Sequence, residues 1–221
     1  MPLLSLLRRF ARPAAACCAA AAALTVLTLG AASPASAAGT TLYGYVVTGS
    51  TFTSVTGSWH VPTVACGPTA TSTSVWAGLD GYSSPTVEQI GTTVACSGGT
   101  ASYYAWYELY PSPPVVFSNT VKPGDQIKTS VTAGGSGKFT FKISDVTQAW
   151  SHTVTGHLSG AGLSSAEAFV QDPNCTAFGT VHFTGVTANG TPLGSLDPVR
   201  VAGTCPVTIS PVSGSSFTVT A

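Results

Sequence analysis

Ser102-Tyr103-Tyr104-Ala105-Trp106-Tyr107-Glu108-Leu109-Tyr110-Pro111 is the stretch on which the fold turns. It holds four of the seven tyrosines and one of only three glutamates, so its pattern carries much of the chain's aromatic and acidic chemistry. Side chains of a strand alternate between faces. Read as a strand, this stretch puts Tyr104, Trp106, Glu108 and Tyr110 on one face and Tyr103, Ala105, Tyr107 and Leu109 on the other. With rings on both faces, each side is expected to be covered or to line something. An acid among rings suits the wall of a cleft.

Outward from that strand, short runs of the same kind recur between turn signals. They are Thr53 to Val61, Thr73 to Leu79, Thr86 to Ala95, Gln126 to Ala133, Lys138 to Ser144, Trp150 to Gly156, Ala166 to Gln171, Thr180 to Ala188, Pro206 to Ile209 and Ser216 to Thr220. Thr, Val, Ser, Gly, Tyr and Phe dominate, while strong helix formers are scarce. Lys138 to Ser144 puts Phe139, Phe141 and Ile143 on one face and Lys138, Thr140 and Lys142 on the other, the mark of a half-buried sheet strand. The class expected is all-β: antiparallel strands in a two-sheet β-sandwich, folded as a single domain.

The first 37 residues are read as a signal peptide. Arg8, Arg9 and Arg12 precede an apolar run, and Ala35-Ser36-Ala37 is a small-residue cleavage site. Residues 38–48 are read as a short N-terminal arm and 49–221 as the folded domain. The expected destination is extracellular, with no membrane attachment after cleavage. The processed chain keeps five cations, Lys122, Lys128, Lys138, Lys142 and Arg200, against eight acids, a net charge of −3. No basic patch is evident, so nucleic acid is not an expected partner. So few charges leave few ion pairs to lose in acid, which fits tolerance of low pH. Four cysteines remain, Cys66, Cys96, Cys175 and Cys205. In an exported chain an even count favours two disulfides. Of the three pairings, Cys66–Cys96 with Cys175–Cys205 is preferred because each closes a loop between neighbouring segments. No C-x-x-C spacing supports a metal site, and no cofactor is expected.

The usual catalytic signatures are missing: there is no G-x-S-x-G and no H-E-x-x-H. His60, His152, His157 and His182 read as surface histidines. The three glutamates are more telling. Glu88 and Gln89, adjacent in a strand, face opposite ways. Glu167, Phe169 and Gln171 share a face opposite Ala166, Ala168 and Val170, where a desolvated carboxyl is suited to proton transfer.

Gly57-Ser58-Trp59-His60-Val61-Pro62, Trp76-Ala77-Gly78-Leu79-Asp80-Gly81, Gln89-Ile90-Gly91, Tyr104 to Pro111 and Ala166-Glu167-Ala168-Phe169-Val170 follow one another in an order and spacing that resembles the glutamic peptidases, the eqolisins of peptidase family G1. Phe178-Gly179-Thr180-Val181-His182-Phe183 is similar to a late strand of that family. The likeness spans about residues 43–190. It implies a curved sandwich of the concanavalin A-like or jelly-roll type with the site on its concave face. It implies a secreted acid endopeptidase, monomeric, acting on proteins or peptides. Gln89 and Glu167 stand at the catalytic positions. Trp76, Asp80, Tyr104, Trp106, Glu108 and Phe169 stand in or behind the cleft, with Asp80 and Glu108 expected to orient the glutamine or its strand. The chain departs from the family pattern at Ala168, where a tryptophan is usual, at Gln171, where an acid is usual, at Leu109, where a tryptophan is common, and at Glu88, where the residue is usually apolar. Two other readings start from the same residues: a glycoside hydrolase using Glu108 and Glu167, and a non-catalytic binding module stacking ligands on Trp106 and Tyr104.

Overall fold

The computed structural model describes residues 41–49 and 51–221. The proposed signal peptide and its cleavage site lie outside the described residues. Fifteen strands follow in chain order: β1 (Leu42–Thr48), β2 (Ser54–His60), β3 (Thr71–Asp80), β4 (Val87–Ser97), β5 (Thr100–Tyr110), β6 (Val115–Val116), β7 (Gln126–Ala133), β8 (Lys138–Asp145), β9 (Trp150–His157), β10 (Ser165–Gln171), β11 (Thr180–Ala188), β12 (Thr191–Pro192), β13 (Val199–Val201), β14 (Thr208–Ile209) and β15 (Phe217–Thr220). The helical structure among the described residues is two 3₁₀ turns, Gly135–Gly137 and Leu193–Ser195.

The strands form two antiparallel sheets. Sheet A runs β13-β1-β10-β3-β4-β5-β6, and sheet B runs β14-β15-β11-β2-β7-β8-β9, with β12 beside β11. The chain crosses between sheets several times. Strands such as β10 and β3, far apart in sequence, therefore pair, while β3, β4 and β5 form a meander.

Alternation builds the core. The inward faces of both sheets supply one apolar cluster that includes Tyr43, Tyr45, Trp59, Val75, Leu79, Ile90, Phe139, Phe141, Ile143, Phe183 and Phe217. Each such large side chain contributes about 1.5–3 kcal/mol on full burial. Trp59 keeps its indole N–H satisfied inside by donating to Thr92 Oγ1 at 3.0 Å. The outward face of sheet B is hydrophilic, with Lys128, Lys138 and Lys142 exposed on β7 and β8. The outward face of sheet A is different. It carries a second apolar cluster of Val46, Trp76, Trp106, Phe169 and Val201, flanked by Leu42, Tyr82 and Tyr104.

Residues 42–48, read from sequence as part of a short arm, form an inner strand of sheet A between β13 and β10. An inner strand covered on both faces needs no polar alternation, and Tyr43 to Val47 are all buried. His152, read as a surface residue, is half-buried: its ring stacks on Phe117 and its Nε2 pairs with Asn119 Oδ1 at 2.6 Å.

The disulfides are Cys66–Cys96 and Cys175–Cys205. Cys96 lies at the end of β4 away from Gln89, and Cys175 follows the end of β10 away from Glu167. Both bridges therefore brace the end of sheet A distal to the glutamates.

Candidate active site

One row of residues crosses the outer face of sheet A. Val46 pairs with Glu167, Glu167 with Gly78, Gly78 with Gln89 and Gln89 with Glu108, so five strands contribute one position each. Directly paired residues point to the same side of a sheet. Glu167, Gln89 and Glu108 thus rise from one surface, and the residue between Glu167 and Gln89 is a glycine. With strands about 4.8 Å apart, the Cα atoms of Glu167 and Gln89 are about 10 Å apart. Gly78 puts no side chain between them.

The next row supplies the wall. Phe169 pairs with Trp76, Trp76 with Gly91 and Gly91 with Trp106. Trp76 and Phe169 meet edge-on at 5.3 Å between ring centroids. Trp106 is oriented by its N–H, which donates to Thr93 Oγ1 at 2.8 Å. Thr93 is in turn bonded to Ser74 Oγ at 2.7 Å. Gly91 lets β3 approach closely: a Cβ there would lie 2.4 Å from the Val75 carbonyl oxygen and 2.6 Å from Trp76 Cβ. Tyr104 continues the wall, half-buried, opposite Thr93.

Glu167 is almost fully buried, and Ser165 Oγ donates to its Oε2 at 3.1 Å. Burial pushes its carboxyl well above the ordinary value. The Ser165 hydrogen bond opposes this, while the negative charge of Asp80, and that of Glu88 whenever it is ionised, add to it. Gln89 Nε2 donates to Glu108 Oε2 at 2.5 Å. That bond fixes the amide orientation, because a carboxylate accepts and does not donate. It leaves the second N–H of Gln89 uncommitted, and Gln89 Oε1 is buried with no partner among the protein's own groups. Burial raises Glu108 as well, and the bond from Gln89 opposes the shift.

Asp80 closes β3 in the left-handed conformation, with φ 63°. It does not bond to Gln89. Its buried carboxylate accepts from Leu163 N at 2.7 Å and from Ser164 N and Oγ at 2.8 and 3.0 Å. Asp80 therefore anchors the segment leading into β10, which carries Glu167. Sequence reasoning singled out neither Ser165 nor Gly78. Ser165 was readable as the residue two positions before Glu167 on the same face, but Gly78 becomes a floor only once β10 pairs with β3.

The geometry brings Gln89, Glu167, Glu108, Trp76, Trp106, Tyr104 and Phe169 onto one face, with Asp80 at its edge. It works against the glycosidase reading. Two strands separate Glu108 from Glu167, and Glu108 is bound to the amide of Gln89.

The chain is 32% identical over 214 residues to aspergillopepsin-2 of Aspergillus niger, covering 80% of this chain and 76% of the fungal protein. It is 30% identical over 173 residues to scytalidopepsin B of Scytalidium lignicola, covering 75% of this chain and 62% of that protein. Among solved structures, scytalido-glutamic peptidase bound to a transition-state analog inhibitor superposes with a TM-score of 0.71 at 24% identity, over 82% of this chain and 98% of that one. Aspergilloglutamic peptidase from Aspergillus niger superposes with a TM-score of 0.57 at 30% identity, over 67% of this chain and 98% of that one. The profile of the Peptidase A4 family matches residues 40–220, and the chain belongs to that family of glutamic endopeptidases.

Proposed function

We propose that the protein is a secreted, monomeric acid endopeptidase that hydrolyses proteins and peptides with Glu167 and Gln89 as its catalytic pair and without a cofactor. The observation that carries this reading is the row Glu167–Gly78–Gln89–Glu108: a desolvated carboxyl and a clamped amide share one face on either side of a glycine, beside an aromatic wall. The related scytalido-glutamic peptidase has been solved with a peptide-based transition-state analog, and SCP-B, of the eqolisin family, with the tripeptide Ala-Ile-His. A leader of the signal-peptide type and two disulfides support export.

The reaction follows from the two side chains. A water seated over Gly78 gives its proton to the Glu167 carboxylate as its oxygen attacks the scissile carbonyl carbon. The carbonyl π pair moves to oxygen, and the oxyanion is met by the free N–H of Gln89. The C–N bond then breaks, and Glu167 returns the proton to the leaving amine. A glutamine suits this place because its amide does not titrate in acid. Glu108 holds the amide in the orientation that presents that N–H. Trp76, Trp106, Tyr104 and Phe169 exclude water and offer an apolar surface to substrate side chains.

The test is cleavage of acid-denatured protein, read by mass spectrometry of the products. Glu167→Ala and Gln89→Ala, each purified and folded, are expected to lose turnover. The amide's share corresponds to about 2.7–4 kcal/mol of barrier, on the order of 10²–10³ in rate. Wild-type activity in either variant refutes the assignment.

A further inference from the structure

Glu88 is next to Gln89 in β4 but turns the other way, into the interior. It is fully buried and stands in register between Leu79 and Leu109, both of which pack on the main core. Neither of its carboxyl oxygens meets a donor in hydrogen-bonding geometry. An ionised carboxyl in that position has no cation to offset its desolvation, and the hydroxyl of Thr86 beside it eases the charge only in part. The four described lysines and Arg200 are all exposed. The polar groups beside Glu88 are Thr86 and the carboxylate of Asp80.

Those two carboxyls are not equivalent. Asp80 accepts three hydrogen bonds from Leu163 and Ser164 and is built to hold a charge. Glu88 has only the Thr86 hydroxyl beside it, outside good hydrogen-bonding geometry, and is built to hold a proton. A protonated carboxyl is a donor. One proton on Glu88 therefore gives its oxygen a partner, and two adjacent carboxyls share a proton more readily than both ionise. The consequence reaches the site through the backbone. The segment that Asp80 grips, Leu163–Ser164, runs directly into Ser165, whose hydroxyl is bonded to Glu167.

Building on the Gln89/Glu167 reading above, we propose that Glu88 is a positioning residue. It is a buried neutral acid that donates its proton to Asp80, holds Asp80 on the 163–164 backbone, and so keeps Ser165 and Glu167 in place only while that proton remains.

The surroundings make the proton matter. On sheet A, Asp80 and Glu167 are the charged neighbours, with Tyr103 and Tyr107 on the inward face of β5 and Glu108 on its outward face. From sheet B, β8 turns Asp145 inward and β9 contributes His152 at the edge. Burial first, and then the Asp80 charge, push Glu88 up to about 8. The proton is kept through the acid range and released near neutrality, where it leaves a second buried negative charge beside Asp80 and near Glu167.

The experiment compares Glu88→Gln and Glu88→Leu with their parents, in the wild type and in Glu167→Gln protein, which is free of self-cleavage. Tryptophan fluorescence from about pH 4 to 9 is expected to show the Glu167→Gln parent unfolding as Glu88 ionises, and Glu88→Gln moving that midpoint up by about one pH unit or more. An unchanged or lower midpoint overturns the proposal. In the active background, Glu88→Leu, which offers Asp80 no donor, is expected to lower kcat about tenfold with KM little changed, and Glu88→Gln, which offers an N–H, to restore most of it. Equal kcat in the two variants also overturns the proposal. Should neither variant fold, the infrared carboxyl band of Glu108→Gln/Asp145→Asn/Glu167→Gln protein decides: a buried protonated carboxyl persisting above about pH 6 supports the proposal, and its absence refutes it. The unfolding and infrared readings need no turnover. A failure of the peptidase assignment, seen as full activity in Glu167→Gln, is therefore distinguishable from a failure of the role given to Glu88.

Discussion

Replacing Gly78 with alanine probes whether the chemistry takes place between Glu167 and Gln89. A methyl group there would lie 3.0 Å from Gln89 Cβ, 3.1 Å from the Glu88 carbonyl oxygen and 3.2 Å from Trp76 Cζ3. All three are a few tenths of an ångström too close. The Glu88 carbonyl belongs to the adjacent strand and moves only with the β3–β4 ladder, so the adjustment falls on Gln89 and Trp76. Overpacking of this size costs about 1–3 kcal/mol. Loss of glycine's freedom in the unfolded chain returns about 0.4–1 kcal/mol, because Gly78 is not among the positive-φ glycines. The net loss is about 0–2.6 kcal/mol, a fall in Tm of no more than about 10 °C for a domain of this size. The reaction suffers more. The new methyl occupies the space assigned to water and scissile carbonyl, and a misplacement of about 1 Å is worth about 10² in rate. Continuous cleavage of a fluorogenic peptide at about pH 4 is the assay. The control is Gly67→Ala, whose added Cβ meets nothing within 4 Å. The expected result is a folded Gly78→Ala protein with kcat/KM down about 100-fold and a control near wild type. A folded Gly78→Ala enzyme within about threefold of wild type refutes the placement of the reaction over this glycine.

Ser165→Ala removes the hydrogen bond that stabilises the charged form of Glu167, so the acid limb of kcat/KM should move to higher pH while its plateau changes less. A limb that stays put or moves to lower pH contradicts this. Cys66→Ser with Cys96→Ser opens a bridge spanning a sequence separation of 30. On the chain-entropy account that costs about 3.6 kcal/mol, or roughly 7–14 °C in Tm, by calorimetry. Activity per folded molecule should persist, because the bridge is at the far end of β4 from Gln89, and lost turnover at an unchanged Tm would contradict that.

The aromatic strand shows how far local pattern reaches. Its period of two assigns Tyr104 and Trp106 to one face and Tyr103, Tyr107 and Leu109 to the other. In the structure these are the outer aromatic cluster and the main core. The same rule sets Glu88 against Gln89, although it does not say which face is the interior. β1 escaped the pattern because Leu42-Tyr43-Gly44-Tyr45-Val46-Val47 is apolar on both faces, as an inner strand demands. β6, β12 and β13 are too short to carry a period. The order of strands in sheet A is not local at all. Glu167 reaches Gln89 only because β10 inserts between β1 and β3, a pairing across about ninety residues that no run of sequence announces. The pairing of glutamine with glutamate was legible through the family resemblance. The clamp from Glu108 and the grip of Asp80 on Leu163–Ser164 depend on side-chain geometry that only the folded chain supplies.

Stability and activity depend on pH with opposite signs. Glu88, Glu108, Glu167 and Asp145 all have carboxyls raised by burial. A raised acid means that the native state holds protons the unfolded chain has already released. Stability then falls as pH rises, by about 1.4 kcal/mol per pH unit for each proton so held. For Glu88 the contribution is complete below the ordinary glutamate value of 4.5 and is lost as pH climbs through about 8. Glu167 must be ionised to take a proton from water, so turnover grows as pH rises toward its raised value. Rising catalytic competence against falling stability gives an optimum on the acid side of neutrality, with Glu167 setting the lower limb and the Glu88–Asp80 pair the upper one. The acid limb of kcat/KM should therefore have its midpoint above 4.5, the ordinary value from which burial lifts Glu167. A midpoint at or below that value would mean that the Ser165 hydrogen bond outweighs burial in the working enzyme, and the account of Glu167 as a desolvated base would fail.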